Sequence, residues 1–374
     1  MIPPSPDAAV PAPSRPRELY IDAFRGLMAL VMVQGHVCEA LLTPAARAEP
    51  WYVFQTIFHG STAPGFLFAS GFVAGLPRSP LSLRASARRA RRLVFVLGVG
   101  YFIHLPYFSL WKTLEATPRE KAILLACDAL QVIAVTQLFV IGLQWVAGRR
   151  WAAAAALTGA LVLAAGPFVW ASGLSARLPP ALGAYLDRGS GSTFPVFPFS
   201  AFVLGGILAG ATLGRQDPGV RRRRALLAGA GLVGLGIALA PLLEGRVGFW
   251  GVSPAYALLR LGGLLLLLVA VEAACRRPLP AVRAVALLGH ETLLVYVLHL
   301  HLLFGGVFGP GPLEALHGRL GFAGAFAVIV LFVPPLLAAA AAWRDFKARR
   351  PHEATLVLAF LTVAFLHEFL TRAW

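Results

Sequence analysis

The sequence predicts an all-α, polytopic integral membrane protein, a bundle of ten or eleven transmembrane helices. Two features of its composition carry this. Of 374 residues, 58% are hydrophobic and only 13% are charged, about half the charged share of a soluble protein. The mean hydropathy is +0.72. The third observation is spacing. Apolar runs of roughly 20 residues, enough to cross a hydrocarbon core of about 30 Å, recur along the chain.

Eleven such runs can be counted, at about 19–42, 53–76, 93–111, 123–147, 152–173, 194–213, 225–243, 254–275, 285–308, 322–343 and 355–371. Residues 1–16 are rich in Pro and Ala and read as a disordered tail. Residues 17–374 read as one transmembrane domain. Ala46-Arg-Ala48 mimics a cleavage site weakly, and cutting there would remove the first helix, so that helix is taken as retained.

The net charge of +16 invites a nucleic-acid reading. It is excluded because the basic residues fall in short clusters between apolar runs, as cytoplasmic loops do. Of the 33 Lys and Arg, 22 lie in one alternate set of connections and 9 in the other; Arg25 and Arg260 lie within spans. The asymmetry places the N-terminus in the cytoplasm and the C-terminus outside a bacterial-type inner membrane. Cys38, Cys127 and Cys275 all sit in apolar segments, an odd number without metal or disulfide spacing, and read as small core residues.

The first helix carries Asp22, Arg25 and His36. A charge deep in a bilayer costs at least about 2.5–3.5 kcal/mol, so such a segment serves a cavity, a partner or chemistry. Arg25 and His36 are eleven residues apart. At about 100° per residue the two side chains fall within roughly 20° of each other, about 16 Å apart along the axis. Arg25 then sits near the cytoplasmic surface and His36 in the outer half, facing one cavity. Asp22, three residues before Arg25, can pair with it.

The second helix descends through His59 and Pro64, where Pro64 can kink it. His59 lies at a depth like that of His36. Each imidazole is either a general base for a hydroxyl or amine or a packing histidine bonded to a backbone carbonyl. The connection Arg84–Arg92 holds Arg88, Arg89, Arg91 and Arg92. With Arg25 it can bind phosphates, or it simply marks the cytoplasmic side.

Asp128 and Gln131 open the fourth helix. They orient a histidine or hold an acceptor, or Asp128 is an interfacial residue favoured by the helix dipole. Ser175–Thr193 is long enough for an external cap. Phe194-Pro-Val-Phe197 is a proline-interrupted start to the sixth helix, and Gly206 and Gly210 have the spacing of close helix packing. Arg260, in the eighth, holds an anionic acceptor or snorkels to the surface. In the ninth, His299 shares a side with Tyr296. His301, two residues on, cannot face the same cavity. His301, His317, His352 and His367 read as interfacial. No Ser-His-Asp pattern, P-loop, dinucleotide fingerprint or metal spacing appears, and no internal repeat.

Ile21-Asp-Ala-Phe-Arg-Gly-Leu27 and Met32-Val-Gln-Gly-His36 resemble the first helix of the transmembrane acyltransferase superfamily. Arg, ten residues, then His is the mark of its bacterial O-acyltransferases. Their Arg-x-x-Arg motif is matched by Arg88/Arg91 or Arg89/Arg92. The closer likeness is to bacterial relatives of heparan-α-glucosaminide N-acetyltransferase. It rests on His59-Gly-Ser-Thr-Ala-Pro-Gly-Phe-Leu-Phe-Ala-Ser-Gly71, Asp128-Ala-Leu-Gln131-Val-Ile-Ala134, Phe194-Pro-Val-Phe197 and Leu288-Gly with Tyr296-Val-Leu-His299. The chain departs from that pattern at His36 and Glu291, where the relatives have Asn.

The resemblance implies an acyl-CoA-dependent O- or N-acyltransferase with acetyl-CoA as donor co-substrate and no metal. Arg25, Asp22, Arg88, Arg89, Arg91 and Arg92 would hold the donor. His36, with His59 and Asp128 or alone, would be the base, through direct transfer or an acyl-histidine. Gln131, Tyr296, His299 and Arg260 would meet the acceptor, a glycan or similar molecule outside. Membrane lipids are the other expected partners, and a homodimer is compatible. A transporter or flippase using the same histidine-lined cavity is the alternative.

Overall fold

The computed structural model describes residues 19–76, 82–245, 248, 250–277 and 279–372. The expected tail, 1–16, lies outside the described residues. Helix α1 (Leu19–Leu41) is followed by the short α2 (Pro44–Arg47), α3 (Pro50–His59), α4 (Thr62–Gly75) and α5 (Leu83–Ile103). The short α6 (Leu110–Leu114) and α7 (Pro118–Leu125) lead to α8 (Ala129–Ala147), α9 (Trp151–Ala171) and α10 (Pro180–Gly183). Then come α11 (Val196–Leu213), α12 (Pro218–Leu243), α13 (Pro254–Ala274) and α14 (Pro280–His290). Last are α15 (Thr292–Phe304), α16 (Phe322–Arg349) and α17 (Pro351–Thr371). No β-strand occurs among the described residues, only isolated bridges. The protein is an all-α polytopic membrane protein.

Helix starts follow local chemistry. Ser82 accepts the amide of Ala85 and begins α5 ten residues ahead of the expected span. Asp128 and Gln131 form a capping box at α8. Proline opens α3, α12, α13, α14 and α17, where its missing N–H is no loss.

The expected eleven spans are not all single straight helices. Among the described residues, seven helical stretches are long and apolar enough to cross a membrane, eight if the bent pair α14–α15 is one span. One of the seven, Ala129–Ala171, contains two expected spans, α8 and α9. The expected span 53–76 is broken into α3 and α4 at Gly60–Ser61. Pro64 sits in the first turn of α4, so the break falls before it rather than at it. The expected span 285–308 turns by 82° between α14 and α15, at Glu291. Phe197 is non-helical, as a residue before proline is disposed to be.

Helix α1 lies at the centre, touching α3, α4, α13, α14, α15 and α16. Of its apolar window 67% is buried, against 11% for α12 and 6% for α17, which form the periphery. Glycines set the closest approaches. A Cβ on Gly26 would lie 1.8 Å from the Val285 carbonyl oxygen, and one on Gly289 would lie 1.7 Å from that of Asp22. Backbone thus meets backbone where α14 crosses α1. Gly71 and Gly75 of α4 meet Val203 and Ile207 of α11 in the same way, and Gly206 and Gly210 meet Phe68 and Phe72. The close packing expected of Gly206 and Gly210 is present. Phe24, Phe68, Phe72 and Phe202 fill the core beside these contacts.

A larger side chain at these crossings has no room. Gly206→Leu should destabilise the folded protein by at least about 1–3 kcal/mol, read as a lower melting temperature in detergent. Gly98, which faces open space, should accept Ala without loss, since Ala is favoured over Gly within a helix by about 0.5–1 kcal/mol.

Candidate active site

Helices α1 and α15 meet at two points. At one, the Arg25 guanidinium donates to the Thr292 hydroxyl and lies 3.7 Å from the Asp22 carboxylate. At the other, Nδ1 of His36 lies 2.9 Å from Nε2 of His299. Thr292, Tyr296 and His299 stand at i, i+4 and i+7, one face of α15. The 82° bend after α14 lays that face along α1. Glu291, at the bend, is buried and bonded to Lys347 of α16 at 2.7 Å and to the ring of His290 at 2.7 Å.

The histidine pair has a defined direction. His299 is fully buried, and its Nδ1 lies 2.9 Å from the Val295 carbonyl. A carbonyl only accepts, so this nitrogen carries the proton. In neutral His299, Nε2 is then the acceptor, and the bond from His36 must be donated by His36 Nδ1–H. The lone pair of His36 is therefore on Nε2, the outward nitrogen. The two ring planes differ by only 7°, with centroids 5.1 Å apart. A base whose other nitrogen is held by a fixed partner keeps its tautomer and aim.

His59 lies beside this pair, its ring centroid 5.2 Å from that of His36. It packs on Gly35: a Cβ there would fall 1.7 Å from His59 Nδ1. Two further contacts hold α3 in place. Gln34 donates to Gln55 at 3.1 Å, and Arg260 donates to the Ile57 carbonyl at 2.7 Å near the end of α3.

Two cavities lie near these residues; Arg25 lines the first, but His36, His59 and His299 line neither, so Arg25 and His36 do not share one of these cavities as expected. One, of about 340 Å³, is lined by Arg25, Arg89 and Arg92, with Ser70, Thr292 and Tyr296 among its walls. It combines three guanidinium groups with an apolar wall that includes Phe66, Val73 and Phe95. Such a set suits a phosphate-bearing ligand with an uncharged arm. The other, of about 440 Å³, is lined by Arg260, Arg188, Trp250 and Tyr256, with Ile57 and Gly60 of the α3 end. The Arg260 guanidinium lies 5.1 Å from the Tyr256 ring centroid.

The sequence-expected residues separate into groups. Arg25, Asp22, Arg89 and Arg92 gather at the first cavity or its edge. Arg88 and Arg91 are exposed and do not line it, so of the two registers of Arg-x-x-Arg the cavity takes Arg89/Arg92. His36, His59 and His299 come together, and His299 meets His36 itself. Asp128 has no hydrogen bond to either His36 or His59. It caps α8, lies 3.6 Å from His104 Nε2 and accepts from Tyr296 at 3.4 Å. Gln131 is fully buried and serves the capping box. Thr292, Lys347 and His104 were not foreseen; only the i, i+4, i+7 spacing with Tyr296 and His299 could have pointed to Thr292.

The Glu291–Lys347 pair fixes the bend that sets the α15 face. Lys347→Met leaves Glu291 a buried carboxylate short of its cation, at a cost of about 1–3 kcal/mol. Adding Glu291→Gln should restore part of the loss, measured by thermal unfolding in detergent.

No curated protein matches the chain. A family model described as an acyltransferase domain matches residues 18–344, a range that spans α1, both cavities and nearly all of α16. The arginine-lined cavity and the aimed histidine fall inside it, and the chain belongs to this family of membrane acyltransferases.

Proposed function

We propose that the chain takes an acyl group, acetyl in the first instance, from cytoplasmic acyl-CoA. It passes the group to a hydroxyl or amine of a glycan or similar acceptor across a bacterial-type inner membrane. The observation that carries this is on one helix: Arg25 opens a cavity with three arginines, and His36 farther along presents a free Nε2 lone pair. The orientation rests on the Lys/Arg asymmetry, which puts the Arg25 end inside.

The donor's phosphates lie against Arg25, Arg89 and Arg92, with Asp22 orienting Arg25. Arg88 and Arg91 add positive charge nearby. The pantetheine arm follows the apolar wall toward His36, a distance of about 16 Å along α1. The acceptor's O–H or N–H gives its proton to His36 Nε2, and the oxygen or nitrogen bonds to the acyl carbon. The C–S bond breaks, and the CoA thiolate takes the proton back from His36. His299 positions the base through Nδ1, and His59 closes the site beside it. Tyr296 lines the path from the first cavity, and Arg260 with Arg188 offers an anion-binding corner to the acceptor in the second. The resemblance to bacterial relatives of heparan-α-glucosaminide N-acetyltransferase supports a sugar amine or hydroxyl as acceptor. Lipids surround the bundle, and a homodimer is compatible with it.

His36→Ala in folded protein should lower acyl transfer by about 10²–10⁴-fold, the usual worth of a general base. The assay follows labelled acetyl from acetyl-CoA into acceptors in membrane extracts. Undiminished transfer would remove His36 as the base. Arg25→Ala should weaken acetyl-CoA binding at least about tenfold, because a charge-assisted phosphate contact is lost. Calorimetry on the detergent-purified chain checks this, and no saturable binding by the wild type would defeat the donor assignment.

A further inference from the structure

Glu39 has no part in the transfer chemistry, yet it stands one helical turn beyond His36 on α1. At i and i+3 the two side chains reach the same side. One ligand-capable atom from each of His36, Glu39 and His59 lies within 4.8 Å of the others. We propose that these three side chains form a Zn²⁺ site, and that the ion competes with acyl transfer for His36.

Two imidazoles and a carboxylate form a donor set that zinc accepts while keeping a fourth position for water. Calcium and magnesium seek more oxygen ligands than this corner offers. Around zinc with bonds of about 2.0–2.1 Å, neighbouring tetrahedral donors lie about 3.4 Å apart. Closing the cluster therefore takes a movement of up to about 1.4 Å. Glu39 can supply it, being exposed and accepting no hydrogen bond among the described residues.

The two histidines are already placed. His36 is oriented by its Nδ1–H bond to His299, which the Val295 carbonyl orients in turn. A metal-bound imidazole is commonly aimed by such a bond at its other nitrogen. His59 is seated on Gly35, and its Nδ1 is buried without a hydrogen-bond partner. The ligands come from two helices, His36-x-x-Glu39 from α1 and His59 from α3, which is why no metal spacing shows in the sequence. The ion would take the Nε2 lone pair of His36. That consequence rests on the proposed role of His36 as base; the binding of zinc does not.

The test is a Zn²⁺ titration of the chelator-stripped, detergent-purified full chain by calorimetry, with metal content measured after dialysis. Wild type should take up one ion per chain. Glu39→Gln, an isosteric change at an exposed position, should weaken uptake at least about tenfold, and His59→Ala should do the same. His352→Ala, exposed on α17, should change nothing. Melting curves confirm that each variant is folded. No saturable uptake by folded wild type, or equal affinity in Glu39→Gln, overturns the site. In the transfer assay, zinc should inhibit wild type and lose potency against Glu39→Gln. Zinc that binds as described but leaves transfer unchanged keeps the metal site and removes His36 as the base.

Discussion

The clasp between α1 and α15 is the interaction on which the rest of the structure depends. A helix that carries a guanidinium and an imidazole into a bilayer must find partners for both. Helix α15 supplies them along one face, Thr292 for Arg25 and His299 for His36. The clasp needs α15 to run along α1, and the 82° bend after α14 provides that course. The bend is held by Glu291 and Lys347, and α14 is held to α1 by the backbone contact of Gly26 with Gly289. Each of these features loses its purpose without the others.

The same logic explains the broken α3–α4 segment. The break at Gly60–Ser61 leaves α3 as a short arm, with its end tied to α13 through Arg260 and its ring seated on Gly35. Arg260 thus ties the arm that holds His59 and also lines the second cavity.

Much of this was legible in the sequence, for physical reasons. The phase of Arg25 and His36 follows from helix geometry alone. Gly206 and Gly210 announced a close crossing, and one of the two readings of Asp128 set it at a helix start. What stayed hidden depends on contacts far apart in the chain. His36 and His299 are separated by 263 residues, and no periodicity tells one helix which other helix will lie against it. His299 was therefore placed with the acceptor when its partner is His36. The shape of the spans stayed hidden for a related reason: hydropathy registers an apolar run but not an 82° turn within it. Asp128 was matched to the histidines by residue type, whereas the capping geometry commits one of its oxygens to α8 and turns the other toward Tyr296 and His104.

The central claim concerns one proton. In neutral protein His299 must hold its hydrogen on Nδ1 and His36 must do likewise, leaving Nε2 of His36 bare and aimed away from the pair. Nitrogen-15 NMR of histidine-labelled protein, with the His36 signals assigned by their loss in His36→Ala, reads this directly. The arrangement requires a His36 resonance pair of the Nδ1–H form, with Nε2 unprotonated. A His36 found as the Nε2–H form would contradict it, because the outward nitrogen would then carry a proton and could not receive one.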